Sequence, residues 1–350
     1  IEGGRVKRPV ILLLLALSLP LAAVRYPFIN YRSSDGLPQS NVTAMLQDSD
    51  GYIWIGTQSG IGKFDGTRFE ILTTRQGLAG NYITDLELGR DGDVWVASQE
   101  GLNRIHEGRI SAWPLADNFV RDIAFSAGEP TLWVLTANSL FRVRDGVTAR
   151  VDLFADPARL SGMAASAGGM VFFGPRTIYR VQNGHVRESA SPERINFVKE
   201  TAGHLFVGCQ GGLFVLNPFG EFKQYSGLPE GMSDISDILF DRQNNLWVAS
   251  RSGVFYRNLQ SGASAVFTMA NGLIYDRASK LLLDREGNIF IGSEFGISQL
   301  SRHLFRMYGT EDGLPSTQVW DMLETDDGLL LACDDGVAAL RQGAIRSFAV

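Results

Sequence analysis

Histidine and cysteine are scarce in this chain, with four of the first and two of the second among 350 residues. His106, His185, His204 and His303 stand at no metal-ligand spacing from one another, and neither a Cys-x-x-Cys nor a His-Glu-x-x-His phrase occurs. A metal centre and its chemistry are therefore not expected. There is no Gly-x-Ser-x-Gly elbow for a serine nucleophile. The Gly3-Gly4 and Gly168-Gly169 pairs lack the strand-to-helix setting of a phosphate loop, so no cofactor is expected either. Basic excess is missing too. Lys plus Arg number 32 against 38 Asp plus Glu, a net charge of -6. Phosphate recognition needs a basic surface, so nucleic acid is excluded as the expected partner. The two cysteines, in FVGCQGG and LLACDDG, fill a place held by Thr57, Ser98, Ser250 and Ser293 in similar phrases. Cys209 and Cys333 therefore read as small residues replacing Ser or Thr, in places held too far apart for the ~7 Å reach of a disulfide.

Long apolar runs are also absent beyond the first two dozen residues, and helical periodicity is confined to them. Residues 7–23 read KRPVILLLLALSLPLAA. Lys7 and Arg8 form a positive start, Val10 to Leu19 a short apolar stretch, Pro20 a break, and Ala22-Ala23 a small-residue site. This is the layout of a secretory signal peptide, with an uncleaved N-terminal anchor as the alternative. The run is short for a membrane span of ~20 residues. Export of the chain beyond Ala23 is the expectation.

Glycine, by contrast, is abundant: 39 of 350 residues, about 11%, against a usual ~7%. The excess marks many turns, and the turns recur. DSDGYIWIGTQSGIGKF, DGDVWVASQEGLNRI, DRQNNLWVASRSGVFY, DREGNIFIGSEFGISQL and DDGLLLACDDGVAAL share one pattern. Anchored on Trp54, Trp95, Trp133, Phe172, Phe206, Trp247, Phe290 and Leu330, eight units succeed one another at intervals of 34 to 43 residues. Within a unit, runs of four to six β-branched and aromatic residues alternate with Gly, Asp and Asn turns, the signature of antiparallel hairpins. Four short strands per forty residues, repeated, predict an all-β β-propeller of four-stranded antiparallel blades. A blade must be covered on both faces, so the aromatic anchor is expected to wedge between neighbouring blades.

A second phrase precedes most units: SDGLPQSNV, RQGLAGNYI, SGLPEGMSDI, ANGLIYDRA and EDGLPSTQVWD. With the anchor phrase it closely resembles the two-component regulator propeller repeat over residues 26–350, although units three to five lack the Gly-Leu phrase. The resemblance implies the periplasmic sensor region of a receptor held in the inner membrane by later segments, with a histidine kinase or diguanylate cyclase as output. It further implies an oligosaccharide or other small polar ligand, further domains of the same receptor as partners, and a homodimer in the full-length protein. YPFINY at 26–31 matches the outer strand of a unit and would close the last blade. Seven units would then close as a ring over residues 24–304, and 305–350 would be the first blade of a second propeller. A single eight-bladed ring is the alternative.

Candidate ligand residues come from the start of each innermost strand, which surrounds the channel of a propeller. Counting back from the anchors gives Thr43, Thr84, Asp85, Arg121, Asp122, Asn196, Asp237 and Lys280. Convergent polar groups of this kind bind sugars and other polar ligands, although a water-filled channel calls for a polar lining on its own account. The acidic turns fall short of a calcium loop, which needs about twelve residues. The sequence points to a ligand-sensing region without catalysis of its own. An exported lyase-type propeller, which would need a His/Glu cluster on one rim, and a protein-binding scaffold are the alternatives.

Overall fold

The computed structural model describes residues 26–301 except 202, and residues 308–348 except 342 and 343. The expected export segment, 1–23, lies outside the described residues. The described residues fall into two compact units, one ending before and one beginning after the segment 302–307. Each is described by itself.

The first unit is built from seven four-stranded antiparallel sheets. Six are laid down in chain order from the innermost strand outward, as are the three inner strands of the seventh. The innermost strands are Val42–Gln47, Ile83–Leu88, Val120–Phe125, Gly162–Ser166, Ile195–Thr201, Asp237–Phe240 and Ala278–Leu283. Each packs beside the next, and Ala278–Leu283 packs beside Val42–Gln47, so the seven sheets form a closed cycle of blades. Blade seven takes its fourth strand from the other end of the chain: Phe28–Tyr31 pairs antiparallel with Gly296–Leu300, Phe28 opposite Leu300 and Tyr31 opposite Ile297. Tyr26 and Phe28 also set their rings against Phe267 of blade six. The last blade thus has its full four strands, and Gly296–Leu300 is not left as an unpaired edge.

The anchor phrase is explained by blade one. Asp48 ends the first strand and accepts the backbone N–H of Asp50 and of Tyr52 through Oδ1, while its Oδ2 accepts the indole N–H of Trp54 at 2.7 Å. The turn and the core aromatic are thereby tied together. Trp247 repeats the bond to Asp241 at 3.1 Å. Trp54 packs with Ile83, Leu86, Val94 and Val96 of blade two, Trp95 with blade three, and Trp247 with Leu281 and Ile289 of blade seven. The anchors wedge between blades as expected. Each buried aromatic of this size removes ~150–250 Å² from water.

Blade four departs from the expected register. Its hairpin is closed by the Gly174 N–H on the Thr177 carbonyl, as Thr136 and Ser139 close the hairpin of blade three. Gly174 therefore holds the place of Thr136, and the anchor position falls on Val171 rather than Phe172. Val171 packs with Ile195, Val198 and Val207 of blade five, whereas the fully buried Phe172 turns back onto Trp133 of blade three, ring centroids 5.6 Å apart. A one-residue slip in a strand moves a side chain to the opposite face.

The hairpin Ser/Thr residues share one hydrogen bond. Thr57, Ser98, Thr136, Ser250 and Ser293 each donate the hydroxyl to the carbonyl three residues on, at 2.8–3.0 Å. Cys209 holds this place in blade five and Cys333 in the second unit, and both are free thiols. In the Gly-Leu phrase, a short 3-10 turn (Ser33–Asp35 in blade one) ends on Gly36 at a φ of 108°, a left-handed conformation that favours glycine. The next residue, Leu37, is buried, as are Leu78 and Leu273 in the same phrase.

The second unit is one further sheet, with strands Val319–Thr325, Gly328–Cys333, Gly336–Arg341 and Ala344–Phe348 in that order. Its first strand carries the same register shift as those of blades one and two, here between Val319 and Asp321. The strand is open to solvent, with Trp320 73%, Met322 65% and Leu323 63% exposed.

Candidate functional site

The innermost strands of the ring enclose a polar cavity of about 520 Å³. Thr84, Asp85, Arg121, Asp122, Asn196, Asp237 and Lys280 line it. Thr43 does not stand among its lining residues. Its buried Oγ1 has no hydrogen-bond partner among the described residues and lies over Gly56, where an added Cβ would come within 3.2 Å of it.

A β-bulge accounts for much of this lining. In blades one, two, three, five and seven the pairing of the first two strands shifts by one residue, leaving Thr43, Thr84, Arg121, Asn196 and Ser279 unpaired. A bulge redirects the side chain it carries. Here four of the five reach the next blade. Thr84 Oγ1 donates to the Val120 carbonyl at 2.9 Å, Arg121 to Leu160 at 3.0 Å, Asn196 to Ile235 at 3.0 Å, and Ser279 to Val42 at 3.2 Å. Ser236 makes the same bond to Ala278 at 2.6 Å. Among these described bulges, Thr43 alone lacks the bond.

The acidic candidates make a second set of ties in the same direction. Asp85 accepts the Ile123 N–H at 3.2 Å, Asp122 that of Met163 at 2.6 Å, and Asp237 that of Leu281 at 2.9 Å. Lys199 donates to Asp237 at 2.9 Å and to the Ile238 carbonyl at 2.8 Å. Six of the eight sequence-chosen residues therefore join neighbouring blades. Glu200 is held by Ser166 and by the Ala167 N–H.

Sequence reasoning missed Glu87, Lys199 and Glu200, all of which line the cavity. The signal was available: strand alternation places Glu87 on the face of Asp85 and Lys199 on that of Phe197. Glu87 and Lys280 differ from every other ionisable lining group, because among the described residues neither makes a hydrogen bond or an ion pair. The Glu87 side chain is partly buried and lines the channel. That burial, with the Asp85 charge adding to it, pushes its pKa up to about 8. Burial first, then Asp85, also raises Asp122 well above the carboxylate range.

Among the described residues no group of His, Cys, Asp or Glu side chains is disposed to hold a metal ion. None of His106, His185 and His204 lines the cavity; His106 instead stands against Asp93 at 2.6 Å, which raises its pKa. His303 falls outside the described residues.

Comparison with known proteins agrees with this architecture. Residues 36–59 match the family described as Two component regulator propeller. Histidine kinase P4 of Formosa agariphila is 42% identical over 57 residues, 16% of this chain and 4% of that protein. Among solved structures, the extracellular domain described as that of a hybrid two component system of B. thetaiotaomicron superimposes with a TM-score of 0.70 at 20% identity, over 93% of this chain and 49% of that one. Virginiamycin B lyase from Staphylococcus aureus superimposes with a TM-score of 0.62 at 14% identity, over 78% of this chain and 97% of the lyase. The chain thus spans about half the length of the B. thetaiotaomicron domain and a small part of the kinase. At these identities the solved structures establish the fold. The chain is thus an all-β propeller protein, and its residues 36–59 match the two-component regulator propeller repeat.

Proposed function

We propose that this chain is the extracytoplasmic ligand-sensing region of a transmembrane signalling receptor, with a histidine kinase or diguanylate cyclase as output. The observation that carries the reading is the matched repeat at 36–59, set in a ring whose channel holds ionisable groups without partners among the described residues. In this reading the ring binds a carbohydrate or another polar small molecule in the channel and performs no chemistry itself. The bulge and carboxylate ties give it a route for transmission. Because each joins one blade to the next, a ligand that displaces one innermost strand shifts its neighbour. The second unit begins another propeller, and its exposed Trp320, Met322 and Leu323 await the next blade. The full-length receptor is periplasmic on this side, tethered in the inner membrane, and dimeric.

The lyase fold neighbour suggests an enzyme as the competing class. No histidine lines the channel among the described residues, which leaves that reading without a base of the usual kind. The test is the reading frame past Val350. A further propeller, a membrane helix and a kinase or cyclase module are expected there, and a stop codon shortly after Val350 would overturn the receptor reading.

A further inference from the structure

The channel lining carries eight ionisable side chains: Asp85, Glu87, Arg121, Asp122, Lys199, Glu200, Asp237 and Lys280. Six of them are committed to backbone or side-chain partners. Among the described residues, Glu87 and Lys280 are not. A charged group taken from water without a partner is costly, and such groups are ordinarily paired or left in solvent. An acid and a cation in one cavity, neither using the other, are a place where a third body fits.

Their placement adds to this. Glu87 lies on the inner strand of blade two and Lys280 on that of blade seven, and both strands pack against the inner strand of blade one. Blade one contributes only Ala44 and Met45 to the cavity. The two free groups therefore flank a wall of small and apolar side chains. We infer that the channel is a binding site for a small zwitterion, an α-amino acid or a short peptide, whose ammonium meets Glu87 and whose carboxylate meets Lys280. The inference deepens the sensing function proposed above and rests on it for its biological meaning.

The chemistry separates this ligand from others. A neutral oligosaccharide would give the Lys280 ammonium, whose charged neighbour is Asp122, no carboxylate to pair with directly. A simple anion would find one cation free but Asp85 and Asp122 close by. A simple cation would meet Lys280. A divalent metal finds no suitable cluster among the described residues. A zwitterion compensates both ends, and a cavity of about 520 Å³ holds one.

Glu87 also makes binding visible. Asp85 acts on it from its own strand; Arg121, Asp122, Lys199, Glu200, Asp237 and Lys280 complete the charged lining, and blade one adds none. In this setting the carboxyl keeps its proton at neutral pH. An ammonium docking there ionises it: the carboxylic acid and the ammonium ion become a carboxylate–ammonium pair, and one proton leaves to solvent.

The experiment is calorimetry on the full chain. The probes are L-alanine, L-glutamine and dialanine as zwitterions, acetate and methylammonium as single charges, and laminaritriose as a neutral oligosaccharide. A zwitterion should bind, with a heat that varies with buffer ionisation enthalpy as one proton is released near neutral pH. Glu87→Gln and Lys280→Met should each weaken it by about tenfold or more, with thermal melts confirming that both variants are folded. Glu87→Gln should also abolish the proton release. Failure of all three zwitterions to bind folded protein overturns the inference, as does binding indifferent to both substitutions. Binding of laminaritriose alone overturns it too, yet leaves the sensing function standing. Binding as expected together with a reading frame that stops after Val350 sinks the receptor and keeps the site.

Discussion

The indole N–H of Trp54 donates to Asp48 Oδ2 at 2.7 Å, and both residues are buried. One carboxylate thereby closes the turn between the first two strands of a blade and orients the aromatic that packs on the next blade. Asp48→Ala removes this acceptor and both turn bonds together. Leaving buried donors unpaired costs about 1–3 kcal/mol, so the urea midpoint should fall by that equivalent. Trp54→Ala should cost more, about 3–5 kcal/mol. A midpoint unchanged in Asp48→Ala would contradict this account of the turn.

The channel carboxyls make stability depend on pH in a defined direction. Glu87 moves from the ordinary 4.5 to about 8 in the folded chain, through burial first and Asp85 second. Asp122 moves the same way. The folded state then holds protons more tightly than the unfolded state. Their contribution is fully present below 4.5 and is lost as pH rises through 8. Urea midpoints should decline between about pH 5 and about pH 9. Glu87→Gln should flatten part of that decline and exceed the parent by roughly 1–3 kcal/mol at the alkaline end. A flat parent profile would remove the buried carboxyl from the explanation.

Closure of the ring depends on a strand from the far end of the chain. A variant lacking residues 26–31 leaves Gly296–Leu300 as an open edge and uncovers Phe267, which Tyr26 and Phe28 pack against. An unpaired edge is a template for association. The variant should melt at lower temperature and elute as larger species in size-exclusion chromatography. Retention of both the melting temperature and the monomer elution would show that the closing strand is dispensable.

Cys209 stands where other blades use a hydroxyl, and burial pushes its thiol up to about 11. The thiol should therefore be inert to a disulfide reagent in the native protein and react on unfolding. Cys209→Ser supplies the donor that Ser98 and Ser250 direct to the carbonyl three residues on. Its stability should stay within about 1 kcal/mol of the parent. Rapid labelling of native protein in a Cys333→Ser background, where Cys209 is the one thiol, would show that this hairpin opens.

The blade pattern was legible because it is local. A strand of alternating or continuous apolar residues, a glycine at positive φ and a hydroxyl three residues from its acceptor are each set by near neighbours in the chain. Trp54 could be assigned to the space between blades on that basis. Phe172 could not. GMVFFGP offers two adjacent aromatics, and the choice of the one facing forward was made by the Gly174–Thr177 hairpin and by the fit against Trp133.

The candidate site shows the same division. Counting back from the anchors found residues whose positions line the channel, Lys280 among them, because the distance from anchor to strand start hardly varies. It gave no sign that Thr84, Arg121 and Asn196 sit in bulges and spend their donors on the next blade. Nor did it single out Glu87, whose character comes from lacking a partner among the described residues.

The amino-acid order by itself determined that this is an array of hairpins with one bulky side chain per unit facing a neighbour. Hydrogen bonds within six residues and the two-residue alternation of strands are enough to dictate that. Only the tertiary structure decided which polar groups satisfy one another around the channel. Partners such as Asp237 and Leu281 are separated by a whole repeat and meet only when the ring closes. Glu87 and Lys280, left over from that pairing, share one cavity for the same reason.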